Sequence, residues 1–202
     1  MPLIKNEPFY EKDSTFIRYI KILLHLEFSF KSLKKKPVMI YDERNSRHLA
    51  DLFEENDREF FYTRSENFNL LIILKTLFKS GFKNFMNNYR KNYFNAVDPN
   101  FFITMNDKFK EVYNLKKYKD NMKVIVVQSG TYYPEDVKIL KESLEKNNNC
   151  IDYYFTFSDQ YSNLFKKFSK KTVFYKSGSL RNNNYLKEHQ IKQKTILYIS
   201  VF

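Results

Sequence analysis

A chain of 202 residues that is 43% hydrophobic and 18% aromatic can bury a sizeable core, so disorder is excluded, and three glycines and five prolines imply short connections. Thirty-five Lys and Arg against 23 Asp and Glu give a net charge of +12, which attracts phosphate in nucleic acid, lipid headgroups or nucleotide-linked substrates; the accompanying Lys, Asn, Tyr, Phe and Ile bias is also what an AT-rich genome produces. The single Cys150 excludes an internal disulfide, no apolar run reaches the roughly 18 residues of a membrane span, and no apolar region follows a short basic start, so the expected compartment is the cytoplasm.

In chain order, Ser14 to Lys36 carries apolar residues at Phe16, Ile17, Ile20, Leu23, Leu24, Phe28, Phe30 and Leu33, with Ser14 as a helix cap, and predicts an amphipathic helix. Its six basic residues against one acid suit either the surface of an anionic membrane or packing on the rest of the chain. From Pro37 short apolar runs alternate with helical stretches. VMIYD (Val38 to Asp42) leads into a helix around Ser46 to Glu55, and EFFYT (Glu59 to Thr63) into the apolar helix Leu70 to Phe78, with another after Gly81. FFITM (Phe101 to Met105) precedes a helix at Asn106 to Leu115, KVIVVQ (Lys123 to Gln128) one at Pro134 to Lys146, and DYYFTF (Asp152 to Phe157) one at Ser158 to Phe168; TVFYKS follows. The strands read as continuous apolar runs, as expected when helices cover both faces of a parallel sheet. The prediction is an α/β, Rossmann-like domain over residues 37–178, preceded by the basic segment 1–36 and followed by a connector and a further strand at 179–202.

Such sheets bind ligands beyond the carboxyl ends of their strands, and there the sequence places Asp42, Glu43, Asn106, Asp107, Gln128, Ser129, Gly130, Ser158 and Gly178. Turn formation and helix capping explain many of these types equally well, whereas Gln128 is neither a usual cap nor a turn former. No Walker loop, G-x-G-x-x-G, H-E-x-x-H or G-x-S-x-G occurs, and His25, His48 and His189 stand far apart, so no metal site is expected.

The ordered segments MIYDERNS, TRSENFNLLIILKTL, ITMND, VVQSG, DYYFTFSD and SGSLRNN resemble bacterial surface carbohydrate biosynthesis proteins, over Pro37 to the end of the chain. That family is similar to GT-B glycosyltransferases, in which two Rossmann-like domains face each other, the acceptor mainly on the first and the nucleotide-linked donor mainly on the second. The resemblance implies an acceptor-side N-terminal half, inactive alone, and a donor site on a second domain of which Lys194 to Phe202 would be the first strand; edge pairing of that strand is the alternative. It implies that Gln128, Ser129, Gly130 and Thr131 line a cleft, although Ser129 stands where the family pattern has Asn. Candidate catalytic carboxylates are Asp42, Glu43, Glu66 and Asp107; Arg64, Asn106, Ser158, Ser177, Gly178 and Arg181 are candidate substrate contacts. The implied partners are a glycan or lipid-linked acceptor, an anionic inner-membrane surface and a separate C-terminal half, with no cofactor besides the donor. A basic, aromatic-rich nucleic-acid binder and a non-catalytic remnant are the alternative classes.

Overall fold

A computed structural model describes residues 27–62, 67–146 and 150–180, with backbone only at 43–45. The elements run β1 (Glu27–Ser29), β2 (Val38–Tyr41), α1 (Glu43–Ala50), β3 (Arg58–Phe61), β4 (Asn67–Asn69), α2 (Leu70–Ser80), α3 (Phe85–Val97) and β5 (Phe101–Thr104). A 3-10 helix (Lys110–Lys117), β6 (Lys123–Val127), α4 (Pro134–Lys146), β7 (Tyr153–Thr156), α5 (Asp159–Lys166) and β8 (Val173–Lys176) follow. They divide into two compact units, one of residues 1–34 with 62–96 and one of residues 35–61 with 97–202. The segment holding α2 therefore groups with the N-terminal residues, not with the sheet that a single 37–178 domain assigns it to.

The larger unit is a mixed α/β, Rossmann-like structure: six strands in the order β3-β2-β5-β6-β7-β8, every neighbouring pair parallel. Val38 aligns with both Arg58 and Phe101, and Phe101 with Lys123, so the strands end together at one edge. All four residues of β2 are buried, which is why it reads as an unbroken apolar run. Alternate residues serve opposite faces. Val38, Ile40, Ile103, Met105 and Val127 pack with Leu49 and Ala50 of α1. On the other face Tyr41 packs its ring at a tilt against Phe102 and donates to Glu111 of the 3-10 helix, while Tyr154 and Phe174 pack on Phe165 of α5. Burying each such side chain contributes about 1.5–3 kcal/mol.

In the smaller unit, β1 pairs with β4 in parallel. The expected helix over Ser14 to Lys36 is corrected here: Glu27–Ser29 is a strand and residues 30–36 have no helix, while residues 14–26 lie outside the described ones. The cause is visible in Glu27-Phe28-Ser29-Phe30-Lys31, an alternation with the period of a strand. Asn69 organises this unit. Its Oδ1 caps α2 by accepting from Ile72 N at 3.1 Å, its Nδ2 donates to the Lys31 carbonyl at 2.7 Å, and its N–H donates to the Tyr89 hydroxyl at 2.9 Å. Burial pushes the Tyr89 phenol up to about 12. Asn92 of α3 donates to Thr76 Oγ1 of α2 at 2.9 Å, which joins the two helices.

Candidate functional site

Strand order decides where a ligand meets the sheet. From β2 the chain moves outward to β3, then returns across β2 to β5, so the reversal lies between β2 and β5. In open parallel sheets the crevice outside the carboxyl ends at this reversal is the usual ligand position. Asp42 sits there, the first residue after β2, with φ 59°, a left-handed conformation that Asp tolerates better than most side chains. It is buried, and its Oδ2 accepts from Asn106 Nδ2 at 3.0 Å, joining the ends of β2 and β5. The Asp42 carbonyl accepts from Ser46 N at 2.8 Å and Ser46 Oγ accepts from Met105 N at 3.0 Å, so α1 starts clamped to the β5 loop.

One residue further, Asp107 is fully buried. Its carboxylate accepts from Ser129 Oγ at 2.8 Å, from Ser129 N at 3.2 Å, from the Tyr154 hydroxyl at 3.4 Å, and from the Tyr132 hydroxyl. The Tyr113 hydroxyl donates to its carbonyl at 2.7 Å. Burial raises the Asp107 carboxyl above the usual range, with the Tyr132 and Ser129 hydrogen bonds opposing the rise. The phenols of Tyr113, Tyr132 and Tyr154 are likewise pushed up, first by burial and then by neighbouring negative charge. Beside this cluster Lys108 Nζ pairs with Asp136 at 2.6 Å, and that hydrogen bond holds the Asp136 carboxyl below its ordinary value.

Gln128 joins the next two strands. Its Oε1 accepts from Phe157 N at 2.8 Å and its Nε2 donates to the Gly130 carbonyl at 2.7 Å, with the side chain fully buried. Gln128→Glu should therefore cost about 2 kcal/mol at neutral pH, because a carboxylate would face the Gly130 carbonyl without a proton to donate. Such a carboxyl has its folded pKa raised above its unfolded value near 4.3, so the stability is present at about pH 4 and lost as pH rises through the folded value. Urea denaturation at about pH 4 and pH 7.5 measures this; an equal deficit at both sinks the assignment.

At the β7 end Ser158 caps α5 by accepting from Tyr161 N at 3.4 Å, and Thr156 Oγ1 lies 2.5 Å from Ser162 Oγ. Ser177 Oγ donates to the Thr156 carbonyl at 3.3 Å, followed by Gly178 at φ 69°, where any other residue is strained. Gly130 has no such φ, and an added Cβ would meet nothing within 4 Å. Asp42, Asn106, Gly130, Ser158 and Gly178 all follow strand ends on the same carboxyl edge.

Asn106, Ser129, Gly130, Thr131, Ser158 and Ser177 reach solvent at this edge, as do Lys108, Tyr133, Asp159 and Lys176, so charged groups stand there beside the amides, hydroxyls and backbone. Asp42, Asp107 and Gln128 lie beneath them. Glu43 opens α1, but its side chain is not described, and Arg64, Glu66 and Arg181 fall outside the described residues. Tyr113, Tyr132, Tyr154 and Thr156 were not singled out from sequence; only Thr156, a polar residue ending an apolar strand, carried a signal there. Among the described residues no group of His, Cys, Asp or Glu is placed to hold a metal ion, and no helix is long and apolar enough to cross a membrane.

Residues 127–202 match a family model described as "putative O-antigen biosynthesis protein". No curated protein and no solved structure matches the chain. The matched stretch begins at Val127, the last residue of β6, and takes in the Gln128 to Thr131 loop, Ser158, Ser177, Gly178 and Arg181, but not Asp42, Asn106 or Asp107. It supports a part in surface carbohydrate biosynthesis, over a shorter stretch than the resemblance from Pro37 onward.

Proposed function

We propose that this chain takes part in assembling a surface polysaccharide, and that the carboxyl edge of its six-stranded sheet is a glycan-binding surface corresponding to the acceptor side of a GT-B-like glycosyltransferase. The observation that carries the reading is the match of residues 127–202 to an O-antigen biosynthesis family model, which includes the edge loops after β6, β7 and β8. The chemistry of the edge agrees with it. Sugar hydroxyls are neutral donors and acceptors, and the solvent-reaching groups Asn106, Ser129, Thr131, Ser158 and Ser177 are their complement.

In this reading Asp42, held by Asn106, and Asp107, held by four donors, are braces that shape the edge. Glu43 and Glu66 remain the carboxylates to test for activation of an acceptor hydroxyl, and Arg64 and Arg181 the cations to test for phosphate contact; the nucleotide-sugar donor belongs to another domain or chain. Disruption of the gene in its host is expected to change the surface polysaccharide ladder on a gel. The wild-type gene should restore the ladder and Glu43→Gln or Glu66→Gln should fail to, both being checked for normal melting. A ladder untouched by disruption overturns the proposal. Full restoration by both variants removes the catalytic assignments and leaves the binding role.

A further inference from the structure

Among the described residues, the smaller unit carries an extended apolar surface on one helix and the turn after it. Helix α2 buries Ile72 and Thr76, as a packed helix should, yet its opposite side is not polar. Leu71, Leu74 and Phe78 are 45%, 47% and 89% exposed, and at 100° per residue they fall within an arc of about 60°. Lys75 and Lys79, also exposed, follow about 40° and 80° beyond that arc. Past the turn at Gly81 the pattern continues, with Phe82 86% exposed, Lys83 exposed and Met86 40% exposed. From Asn67 to Val97 the sequence holds Lys75, Lys79, Lys83, Arg90 and Lys91 and no Asp or Glu.

We infer that the exposed side of α2 with the following turn is a docking surface for an anionic lipid bilayer. Two large aromatics and two leucines directed outward constitute an apolar patch of the kind that marks an interaction site. What chooses lipid over protein is the charge. A segment of this length with basic residues alone is complementary to a negatively charged headgroup layer, where each Lys near the surface contributes about 1 kcal/mol, and the lysine stems let the ammonium groups reach the phosphates while the rings enter the acyl boundary. The inference stands apart from the carbohydrate reading: a failure of vesicle binding leaves the polysaccharide test untouched, and the reverse holds.

The chain has no tryptophan, so Phe78→Trp creates a single reporter at the centre of the patch. With phosphatidylcholine vesicles containing phosphatidylglycerol its emission should shift to the blue and be quenched by brominated acyl chains. Partitioning should fall at least tenfold with phosphatidylcholine alone or in about 0.5 M salt. In cosedimentation without the reporter, the double substitution Leu74→Ser with Phe78→Ser should weaken binding at least tenfold while circular dichroism is unchanged. The inference is overturned by absence of binding to both vesicle types, by binding that the double substitution leaves intact, or by concentration-dependent self-association that the double substitution abolishes, which would make the surface a protein interface.

Discussion

Phe165→Ala is expected to lower the unfolding free energy of the sheet unit by about 4 kcal/mol, because it empties the centre of a ring cluster that joins α5 to the sheet and to the edge loop. Phe165 is fully buried on α5. Its ring lies 5.3 Å from Tyr132, 5.7 Å from Tyr154, 6.0 Å from Tyr161 and 6.5 Å from Phe174, centroid to centroid. Stacked and edge-on ring pairs add roughly 0.5–1.5 kcal/mol beyond simple burial. Tyr154 and Phe174 are fixed by strand pairing in β7 and β8, so neither can move into the vacated space without breaking the ladder. Phe165→Leu retains most of the volume and should cost about 1–2 kcal/mol. Chemical denaturation provides both numbers. Hydrogen exchange gives the local consequence, since the loop carrying Tyr132 should exchange faster in the alanine variant. A loss near 1 kcal/mol, or a loop as protected as in the wild type, would show that the cluster is not continuous.

How far this arrangement can be read from the residues differs element by element. The strands of the six-stranded sheet were legible, because a buried parallel strand needs apolar residues on both faces, as VMIY shows, whereas β1 and β4 were not. Helix α4 is legible to its ends, Pro134 being suited to a first turn and Lys146 to a last one. Helix α1 is displaced, running over Glu43–Ala50 and not Ser46 to Glu55, since Asp42 in a left-handed conformation lets the helix start directly after the strand. The stretch after Asp107 forms a 3-10 helix that starts four residues later than expected, because Asp107 and the Tyr113 hydroxyl first fix a tight loop. The grouping of α2 was not legible: an apolar periodic helix looks alike whether its inner side meets a central sheet or a separate small unit. Strand order was equally hidden, since pairing of β2 with β5 joins residues 63 apart and no local signal records it. Gln128 was the most informative single residue, because a long amide after an apolar strand has few local uses, and its side chain bonds the backbone of its own loop at Gly130 and that of the β7 end at Phe157. The tyrosines around Asp107 could not be told from the other aromatic residues, since the hydroxyl of a tyrosine matters only once its partner is known.

Asp107→Ala should be as damaging as the loss of Phe165, about 4 kcal/mol, through a different cause. Removing the carboxylate from its buried position leaves Ser129 N, Ser129 Oγ, Tyr132 Oη and Tyr154 Oη without their acceptor, and hydrogen bonds to a charged group are each worth about 1.5–3 kcal/mol, part of which the rotatable hydroxyls and solvent at Ser129 recover. Asp107→Asn should behave differently. Its carbonyl can still accept from Ser129, and its amide can donate to Tyr132, whose hydroxyl is free to turn toward Tyr154 at 2.6 Å. The pH dependence separates the two. Burial raises the folded pKa of Asp107 above the unfolded value, so the stability this group contributes is fully present below the unfolded value near 3.9 and is lost as pH rises through the folded one. Asp98, Asp136 and Asp152 are lowered and act in the opposite direction, their contribution present at neutral pH and lost on acidification, so the Asp107 effect is read as a difference between variants. The stability of Asp107→Asn relative to wild type should therefore become more favourable from about pH 4 to pH 7, whereas Asp107→Ala remains far below wild type at both. If Asp107→Asn is as unstable as Asp107→Ala, the negative charge itself holds the loop. If it melts normally but fails to restore the polysaccharide ladder that wild type restores, Asp107 acts on substrate, and the edge it supports is a reaction centre in addition to a glycan-binding surface.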